Sequence, residues 1–288
     1  MKTASRAGRA GPLRRLGATR DRHREDRRGA GSVWVVTGAS SGIGRRTALD
    51  LAAAGAQVCV AARRAERLEA LIEELPGTGH SYRVTDVSDR DQVRALADHV
   101  RDRYGRCHVL VNNAGGPGPE TFDGPDAIAG VEATLATNFL GAVYCTGEFL
   151  PLLESSAPSH VVNVTSVAGR LAAPGVAAYT ASKFALVGWT ESLQPQLARR
   201  GVYLSSVEPG FIPTEGFPQK DFVDDRLLKH LLGSDAQVSA AIQDAVAGRK
   251  PQRVVPRWYY LLQVPRLLTP FAYRRVVKKL ASIRQSRR

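Results

Sequence analysis

Short apolar runs alternate with longer amphipathic segments along the chain, and the alternation starts at Ser32. The apolar runs are typical of buried strands, and the segments of roughly 10–15 residues between them have helical periodicity. The predicted strands are Val33–Val36, Gln57–Ala62, Tyr82–Thr85, His108–Val111, His160–Val164 and Tyr203–Val207. The predicted helices are Arg45–Ala54, Ala65–Leu75, Asp89–Tyr104 with Ser88 as its cap, about Asp126–Leu153 and about Tyr179–Arg200. This order predicts right-handed βαβ units on a parallel sheet, and therefore an α/β fold.

The pattern divides the chain into three parts. Residues 1–31 lack periodic apolar positions and are rich in Gly, Ala and Arg, as is typical of a disordered tail. Two interpretations of this tail stay open: a basic anchor, or a translation start placed too far upstream. Residues 32–248 form the predicted body in one domain, and its stretch at about 211–235, which is rich in large apolar residues, is named the lid. Residues 249–288 form a basic, amphipathic, helical arm.

The positive charge of the chain is concentrated at its two ends. The 288 residues carry a formal net charge of +13; residues 1–30 contribute +7 and residues 249–288 contribute +12, which leaves −6 for the rest. A net acidic body argues against a specific nucleic-acid partner. No run approaches the ~20 apolar residues that span a bilayer, which argues against an integral membrane protein.

The three cysteines, Cys59, Cys107 and Cys145, lie far apart and share no metal-like spacing. We expect them to be small apolar residues in a reducing, cytoplasmic compartment, and we expect no metal site.

A glycine-rich turn follows the first predicted strand and precedes the first helix. After Thr37 it comprises Gly38, Ala39, Ser40, Ser41, Gly42, Ile43 and Gly44. Glycine permits a tight turn and a close approach of the backbone to a pyrophosphate, while the helix N-terminus supplies N–H groups and a positive dipole end. Three glycines alone are a weak signal. Their place between a buried strand and a helix favours a dinucleotide site over a plain turn.

The residues that end the second strand predict which dinucleotide binds. An acidic residue at this point binds the 2′-hydroxyl of NAD, whereas an arginine accommodates the 2′-phosphate of NADP. Here the strand is followed by Arg63 and Arg64, so we expect NADP(H), although a solvated helix start also accounts for two arginines. At the ends of the next two strands, other residues would surround the adenosine: Asp86, Val87, Asn112, Asn113, Ala114 and Gly115.

A tyrosine and a lysine four residues apart, Tyr179 and Lys183, share one face of a predicted helix. Such a pair usually means only an aromatic ring packed against an alkyl chain. Two more polar residues favour chemistry here. Ser166 ends the preceding strand, and Asn138 lies in the helix before that strand.

These motifs resemble those of the short-chain dehydrogenase/reductase family, over about residues 32–215. They occur in family order: the turn ending Gly-Ile-Gly, Asn-Asn-Ala-Gly, Asn138, Ser166, Tyr-x-x-x-Lys, and Pro209-Gly210 with Thr214 four residues later. The resemblance implies a three-layer, doubly wound Rossmann fold with a seven-stranded, mostly parallel sheet. It also implies an NADP(H)-dependent oxidoreductase that interconverts a carbonyl compound and an alcohol. We further expect a homo-oligomer, either a dimer or a tetramer.

The resemblance also implies a role for each matching residue. Tyr179 would be the acid/base, and Lys183 would favour its phenolate form and bind the nicotinamide ribose. Ser166 would hold the substrate oxygen, and Asn138 would position a water in a proton relay. Four residues would contact the nicotinamide end: Pro209, Gly210, Ile212 and Thr214.

Two residues depart from this simple pattern. Pro195 lies inside a predicted helix, where a proline removes one hydrogen bond and kinks the backbone. Glu208 precedes Pro209 in a sequence that predicts burial, and we expect it to make a structural hydrogen bond.

The lid and the arm leave alternatives open. The large apolar residues of the lid fit either a lipophilic substrate or simple closure of the core: Phe211, Phe217, Phe222, Leu227, Leu228, Leu231 and Leu232. In the arm, aromatic and cationic residues are mixed, which suits an anionic membrane surface and equally suits packing on the body or on a partner subunit. We favour packing for Arg249–Val264, and we keep peripheral contact with the inner membrane surface open for residues 265–288.

Overall fold

The structure, a computed structural model, describes residues 29–172, 174–217, 232–269, 271, 273–275 and 277–278. Most of the predicted N-terminal tail lies outside the described residues, as do residues 218–231 of the lid and residues 279–288 of the arm. The predictions for Phe222, Leu227, Leu228 and Leu231 therefore also lie outside them.

Seven parallel strands form one sheet in the order β3-β2-β1-β4-β5-β6-β7. Their bounds are Val33–Thr37 (β1), Gln57–Ala62 (β2), Ser81–Val84 (β3), Val109–Asn112 (β4), Ser159–Val164 (β5), Val202–Pro209 (β6) and Gln252–Val255 (β7). The strand order reverses between β1 and β4, and such a switch point opens a crevice at the carboxyl ends of the strands. The predicted doubly wound sheet is confirmed, and each of its neighbouring pairs is parallel.

The seventh strand corrects the predicted boundary between body and arm. We expected the body to end at residue 248, but Gln252–Val255 pairs with the end of β6, from Ser206 opposite Gln252 to Pro209 opposite Val255. Val254 and Val255 are buried there. The strand was not predicted because it is only four residues long and two of its residues are polar, so it contains no apolar run of the usual length.

The described residues include eight α-helices on the two faces of the sheet. Their bounds are Gly42–Ala53 (α1), Ala65–Glu74 (α2), Arg90–Tyr104 (α3), Ala127–Leu135 (α4), Gly141–Ser155 (α5), Ala177–Ala198 (α6), Asp235–Gly248 (α7) and Tyr260–Leu268 (α8). A π-helical turn, Ala136–Leu140, joins α4 to α5.

Two local predictions about the helices have different outcomes. The predicted cap Ser88 is wrong, because the carboxylate of Asp89 accepts the N–H groups of Asp91 and Gln92 at the start of α3. Helix α6 continues through Pro195 to Ala198, so the proline is accommodated inside the helix.

The sheet separates two apolar layers because successive side chains of a strand point to opposite faces. On β1, Trp34 and Val36 pack in one layer with residues of α1, α2 and α7. Val35 packs in the other layer with residues of α3 and α5 and with Leu197 of α6. The predicted three-layer arrangement is confirmed.

The cysteines lie inside this core. Cys59, Cys107 and Cys145 are free and buried. Burial raises the pKa of Cys59 to about 11 and that of Cys145 to about 12, and it also raises the pKa of Cys107. These thiols stay protonated at neutral pH and behave as small apolar side chains.

The long helix formed by α4, the π turn and α5 is apolar enough to be compared with a membrane-spanning helix. Residues Ala127–Ser155 have the length and composition of a membrane-spanning helix. In this structure, however, Cys145, Phe149 and Leu153 of the helix are buried in the core layer that also contains α3. A core helix passes the same test of length and composition, so the helix is weak support for membrane insertion.

The start of the arm packs on the carboxyl end of β6. The N–H of Gly210 donates to the carbonyl of Val255 at 2.7 Å. Tyr259 is buried, and its ring covers Gly210 so closely that a Cβ atom added there would lie 1.7 Å from the ring atom Cε2. Glycine at residue 210 is therefore required by the approach of Tyr259.

We expect Gly210→Ala to lower the free energy of unfolding by about 1–3 kcal/mol, because an extra methyl group in a filled space has a cost of that order. Urea unfolding of the two proteins measures the difference. Gly188→Ala is the matched control, since residue 188 is an exposed position of α6 where an added Cβ meets no atom within 4 Å. The control should be as stable as wild type or more stable, by up to ~1 kcal/mol. Equal stability of Gly210→Ala and wild type would contradict the packing of Tyr259.

Candidate active site

The glycine-rich turn between β1 and α1 is held against the end of β4 with no room for side chains. A Cβ atom added at Gly38 would lie 2.7 Å from the Cα of Ala114, and one added at Gly44 would lie 2.5 Å from the carbonyl oxygen of Gly38. Gly38 and Gly42 also have positive φ angles, of 66° and 53°. The backbone of this turn is therefore exposed to the crevice at close range, as the sequence predicted for a pyrophosphate site.

The start of α1 faces the same crevice. Ser41 is the N-cap residue of α1, but its side chain makes no capping hydrogen bond and instead accepts one from Arg64 at 3.0 Å. Arg64 also donates to Ser40 at 2.9 Å. The positive end of the helix dipole and a guanidinium group thus lie side by side, which favours an anion at this point.

The two arginines after β2 are not equivalent. Arg64 donates hydrogen bonds to Ser40 and Ser41 of the turn and pairs with Glu215 at 2.9 Å. The side chain of Arg63 is 74% exposed, and its nearest charged partner is Asp86, at 3.9 Å. Both arginines line a cavity of about 780 Å³ at the carboxyl ends of the strands. Of the two, Arg63 is the one whose guanidinium group is available to a ligand.

The end of β4 forms the floor of this cavity. The backbone N–H groups of Asn113 and Ala114 both donate to the hydroxyl of Thr37, at 3.0 and 3.1 Å. The amide of Asn113 donates back to the carbonyl of Thr37 at 2.9 Å. These bonds join β4 to the turn. The cavity is lined by Ser40 and Ser41 of the turn and by most of the residues predicted for the adenosine: Arg63, Arg64, Asp86, Val87, Ala114 and Gly115.

Asp86 is fixed by its own loop. One carboxylate oxygen accepts the N–H and the hydroxyl of Ser88, at 3.0 and 2.7 Å. The other oxygen is the one that lies 3.9 Å from Arg63. Asp86 therefore orients its loop at the cavity mouth and partly balances the charge of Arg63.

Asn138 lies in the π-helical turn and is buried. Its side-chain oxygen accepts the N–H of Gly116 at 2.9 Å, and its side-chain nitrogen donates to the carbonyl of Gly116 at 2.9 Å and to the hydroxyl of Ser182 at 3.0 Å. A π turn inserts one residue into a helix and is frequent at functional sites. Here it turns an asparagine of the long helix toward the loop after β4.

Tyr179, Lys183 and Ser166 meet at the carboxyl end of β5. The Nζ of Lys183 donates to the carbonyl of Val164 at 2.9 Å and lies 5.7 Å from the centre of the Tyr179 ring. Burial lowers the pKa of Lys183 to about 8 from its usual 10.5. Burial also raises the pKa of Tyr179, and a hydrogen bond with Ser166 acts in the opposite direction.

The segment after β6 completes the site. The hydroxyl of Ser166 donates to the carbonyl of Pro209 at 3.3 Å, and Ile212 is buried nearby in the core. Thr214 lies against the glycine-rich turn: a Cβ atom added at Gly42 would lie 3.1 Å from the Cβ of Thr214. Residues predicted for the adenosine end and Asn138 line the cavity. Lys183 lies beside it, since its Nζ and the oxygen of Asn138 both approach Gly115. Tyr179 adjoins Lys183, and Ser166 adjoins Tyr179.

Comparison with known proteins agrees with this geometry. The model of the short chain dehydrogenase family matches residues 32–221. The chain belongs to the short-chain dehydrogenase family.

Several members of the family are similar over much of their length. 11-Beta-hydroxysteroid dehydrogenase 1A of Arabidopsis thaliana is 35% identical over 255 residues, which cover 83% of this chain and 72% of that protein. A 3-oxoacyl-acyl-carrier-protein reductase of Thermotoga maritima is 37% identical over 199 residues, which cover 66% and 79%. A short-chain dehydrogenase of Burkholderia phymatum, solved in complex with NAD, superposes with a TM-score of 0.72 at 27% identity and covers 83% and 94%.

Two contacts of this short-chain dehydrogenase site could not be predicted, although the sequence had indicated Phe217 as an apolar residue of the lid. Phe217 packs on Tyr179, with their ring centres 5.2 Å apart. Glu215 pairs with both Arg64 and Arg67 and so ties the lid segment to the start of α2. No motif marks these two residues, because their role comes from the fold of a loop and not from spacing along an element.

Glu208 makes the structural hydrogen bonds that we expected. It is fully buried and accepts from Arg170 at 2.8 Å and from Gln252 at 2.7 Å. Gln263 of α8 donates to its other oxygen at 3.4 Å. The carboxylate of Glu208 therefore links the loop after Ser166 to strand β7, through Gln252, and to helix α8, through Gln263.

The arm also holds that loop through its outer end. The hydroxyl of Tyr273 accepts the N–H of Ala172 at 2.8 Å, and the guanidinium of Arg266 donates to the carbonyl of Arg170. Arg266 lies over the ring of Phe184, next to Lys183 in the sequence, at 4.5 Å. The expected packing of Arg249–Val264 on the body is thus observed, and contacts with the body continue to Tyr273.

The lowered pKa of Lys183 predicts a specific dependence of stability on pH. Between pH 8 and 10.5 the lysine binds a proton in the unfolded chain but not in the folded one, so the wild type gains stability as the pH rises. Lys183→Met removes this titration while it keeps the buried length of the side chain. We expect the stability of wild type relative to Lys183→Met to increase by at most about 3 kcal/mol over this window. Urea unfolding of both proteins, from neutral pH to about pH 10, measures it. A difference that stays constant with pH would contradict the lowered pKa.

Proposed function

We propose that this short-chain dehydrogenase is an NADP(H)-dependent oxidoreductase that interconverts a lipophilic ketone or aldehyde and the corresponding alcohol. One observation carries the proposal: Tyr179, Lys183, Ser166 and Asn138 lie together, and Asn138 lines the same cavity as the glycine-rich turn. The four side chains come from three different parts of the chain. Their meeting at the carboxyl edge of the sheet is what a hydride transfer next to a bound dinucleotide requires.

The residues of the crevice fit a dinucleotide. At Gly38 and Gly44 a Cβ atom would collide with the backbone. Because the turn therefore has no side chains at these positions, its backbone N–H groups can approach a pyrophosphate closely. A bound nicotinamide would accept the hydride from the alcohol or supply it to the carbonyl. The residues that would hold the cofactor are Gly38, Ser40, Ser41, Gly42, Ile43, Gly44, Arg63, Arg64, Asp86, Val87, Asn113, Ala114, Gly115, Tyr179, Lys183, Pro209, Gly210, Ile212 and Thr214.

Arg63 supports NADP(H) over NAD(H). Its guanidinium is exposed at the cavity mouth, whereas the guanidinium of Arg64 is bonded to Ser40, Ser41 and Glu215. A planar guanidinium pairs well with a phosphate. The related Burkholderia phymatum enzyme was solved with NAD, so the fold itself does not require a 2′-phosphate, and we assign the choice of nucleotide to residues such as Arg63.

The proton is moved by Tyr179. In the reducing direction its phenol gives a proton to the carbonyl oxygen as the carbon accepts hydride, and in the oxidising direction its phenolate takes the proton from the alcohol. The ammonium of Lys183 lowers the energy of the phenolate, because the two groups lie on one helix face in a buried setting. Ser166 would hold the substrate oxygen beside Tyr179.

Asn138 is placed to extend the proton path. Its bonds to Gly116 and to Ser182 fix its side chain between the loop after β4 and helix α6. A Cβ atom added at Gly115 would lie 3.0 Å from the oxygen of Asn138 and 3.6 Å from the Nζ of Lys183, so both side chains border one small space. A water molecule held there would pass protons between Lys183 and solvent.

Two observations support a lipophilic substrate. The ring of Phe217 lies on Tyr179, which gives the reacting centre an apolar wall. The Arabidopsis thaliana relative is named for hydroxysteroids, and its match covers 83% of this chain. The Thermotoga maritima relative is named for an acyl-carrier-protein thioester, so a fatty chain is the second candidate class.

The assembly and location follow as further parts of the proposal. Ile128 on the outer side of the long helix is 64% exposed, and this apolar face suits a partner subunit in a dimer or tetramer.

Three buried, free thiols suit a reducing cytoplasm. The acidic body offers no specific nucleic-acid partner.

We expect Tyr179→Phe to retain NADPH binding and to lose turnover by about three orders of magnitude or more, because only the proton donor is removed. Substrates come from a panel of lipophilic ketones and aldehydes assayed at the cofactor absorbance, and NADPH binding is followed by fluorescence titration. Tyr203→Phe serves as control, since Tyr203 lies on β6 and bonds to Arg249. Reductase activity that survives in Tyr179→Phe would overturn the assignment of the acid/base.

We expect Arg63→Ala to weaken the binding of NADPH by about tenfold or more and to leave the binding of NADH nearly unchanged, because only NADPH carries the 2′-phosphate. Arg67→Ala is the matched control, since Arg67 is equally basic and nearby but does not line the cavity. It should change neither affinity. An equal loss for both nucleotides in Arg63→Ala would show that this residue does not distinguish them.

A further inference from the structure

The arm carries a concentration of exposed apolar side chains. Nine large hydrophobic residues are exposed among the described residues, and six of them lie between residues 258 and 271. These six are named the outer face: Trp258, Tyr260, Leu261, Val264, Leu268 and Phe271. Leu261, Leu268 and Phe271 are 69%, 75% and 78% exposed. Tyr260, Leu261, Val264 and Leu268 share one side of α8 by their spacing, and such a concentration marks an interaction surface.

Helix α8 contacts the body through two polar residues. Gln263 donates to Glu208, and Arg266 donates to the carbonyl of Arg170. An ordinary surface helix buries its apolar stripe, whereas Leu261, Val264 and Leu268 of α8 are exposed. The body therefore fixes the helix by its polar side and presents the outer face to a partner.

Charge decides between the candidate partners. Residues 249–288 contain twelve Lys or Arg and no Asp or Glu. In the described part of the arm, Arg257, Arg274, Arg275 and Lys278 are exposed, and they lie next to the outer face in the sequence. A second copy of the arm, or the cationic N-terminal tail of this chain, would bring like charge against these residues. An anionic lipid surface supplies both an apolar layer for the outer face and negative charge for its basic border.

We propose that the outer face docks the protein on an anionic lipid surface, with Trp258, Leu261, Leu268 and Phe271 inserted at the boundary of headgroups and acyl chains. The surface starts at Trp258, seven residues before the segment that the sequence singled out for membrane contact. Docking needs no rearrangement of α8, because the contacts of Tyr259, Gln263 and Arg266 with the body hold the helix in this orientation. The inference stands apart from the proposed reaction and does not depend on it.

The full-length protein is sedimented with vesicles of phosphatidylcholine alone and with vesicles that also contain phosphatidylglycerol. We expect binding to the mixed vesicles, weak binding to the neutral ones, and release of part of the bound protein by high salt. The double variant Leu261→Gln, Leu268→Gln should lose binding to mixed vesicles by about tenfold or more. These residues are 69% and 75% exposed, so the changes should not affect folding, and circular dichroism checks this.

The control is Phe122→Gln, which removes an apolar residue of the body that is 71% exposed. It should bind vesicles as the wild type does. Unchanged binding of the Leu261, Leu268 double variant would overturn the proposal, because another part of the chain, such as the basic tail, would then be responsible. The proposal would also be overturned if light scattering found an oligomer that this variant dissociates, since the outer face would then join two copies of the chain.

Discussion

The site depends on one close contact, the joint between the glycine-rich turn and the end of β4. Two backbone N–H groups, of Asn113 and Ala114, share the hydroxyl of Thr37, and Gly38 lies against Ala114 with no space for a side chain. This joint fixes the width of the crevice at the point where the strand order reverses. The cavity floor, the start of α1 and the arginines after β2 are all placed relative to it.

A second constraint orders the middle of the sheet. The side-chain amide of Asn112 donates to the oxygen of Asn163 at 2.8 Å, and the amide of Asn163 donates to Thr190 of α6 at 2.8 Å. Buried amides of this kind accept few alternative arrangements, because a lost partner leaves an unsatisfied polar group. The chain of bonds therefore links the registers of β4 and β5 to the position of the helix that carries Tyr179 and Lys183.

The sequence predicted the elements with strong periodicity and the residues that belong to motifs. The parallel strands and the helices follow from periodic burial, and a spacing of four places Tyr179 and Lys183 on one helix face. The resemblance to the short-chain dehydrogenase/reductase family implied that Ser166 and Asn138 join them, since spacing alone does not bring these elements together. Strand β7 was missed, since four residues with two polar ones give no periodic signal. The unequal roles of Arg63 and Arg64 were also missed, because a distant residue, Glu215, engages only one of them.

The carboxylate of Glu208 has a consequence for how this protein can vary. Arg170, Gln252 and Gln263 come from three separate segments and depend on this one buried group. A change in any of the three leaves the buried carboxylate with fewer donors, so that it depends more on the remaining two, and their effects on stability will not be additive. An arm transplanted from a relative would therefore have to bring its own version of the loop after Ser166, and the two segments should be inherited as a unit.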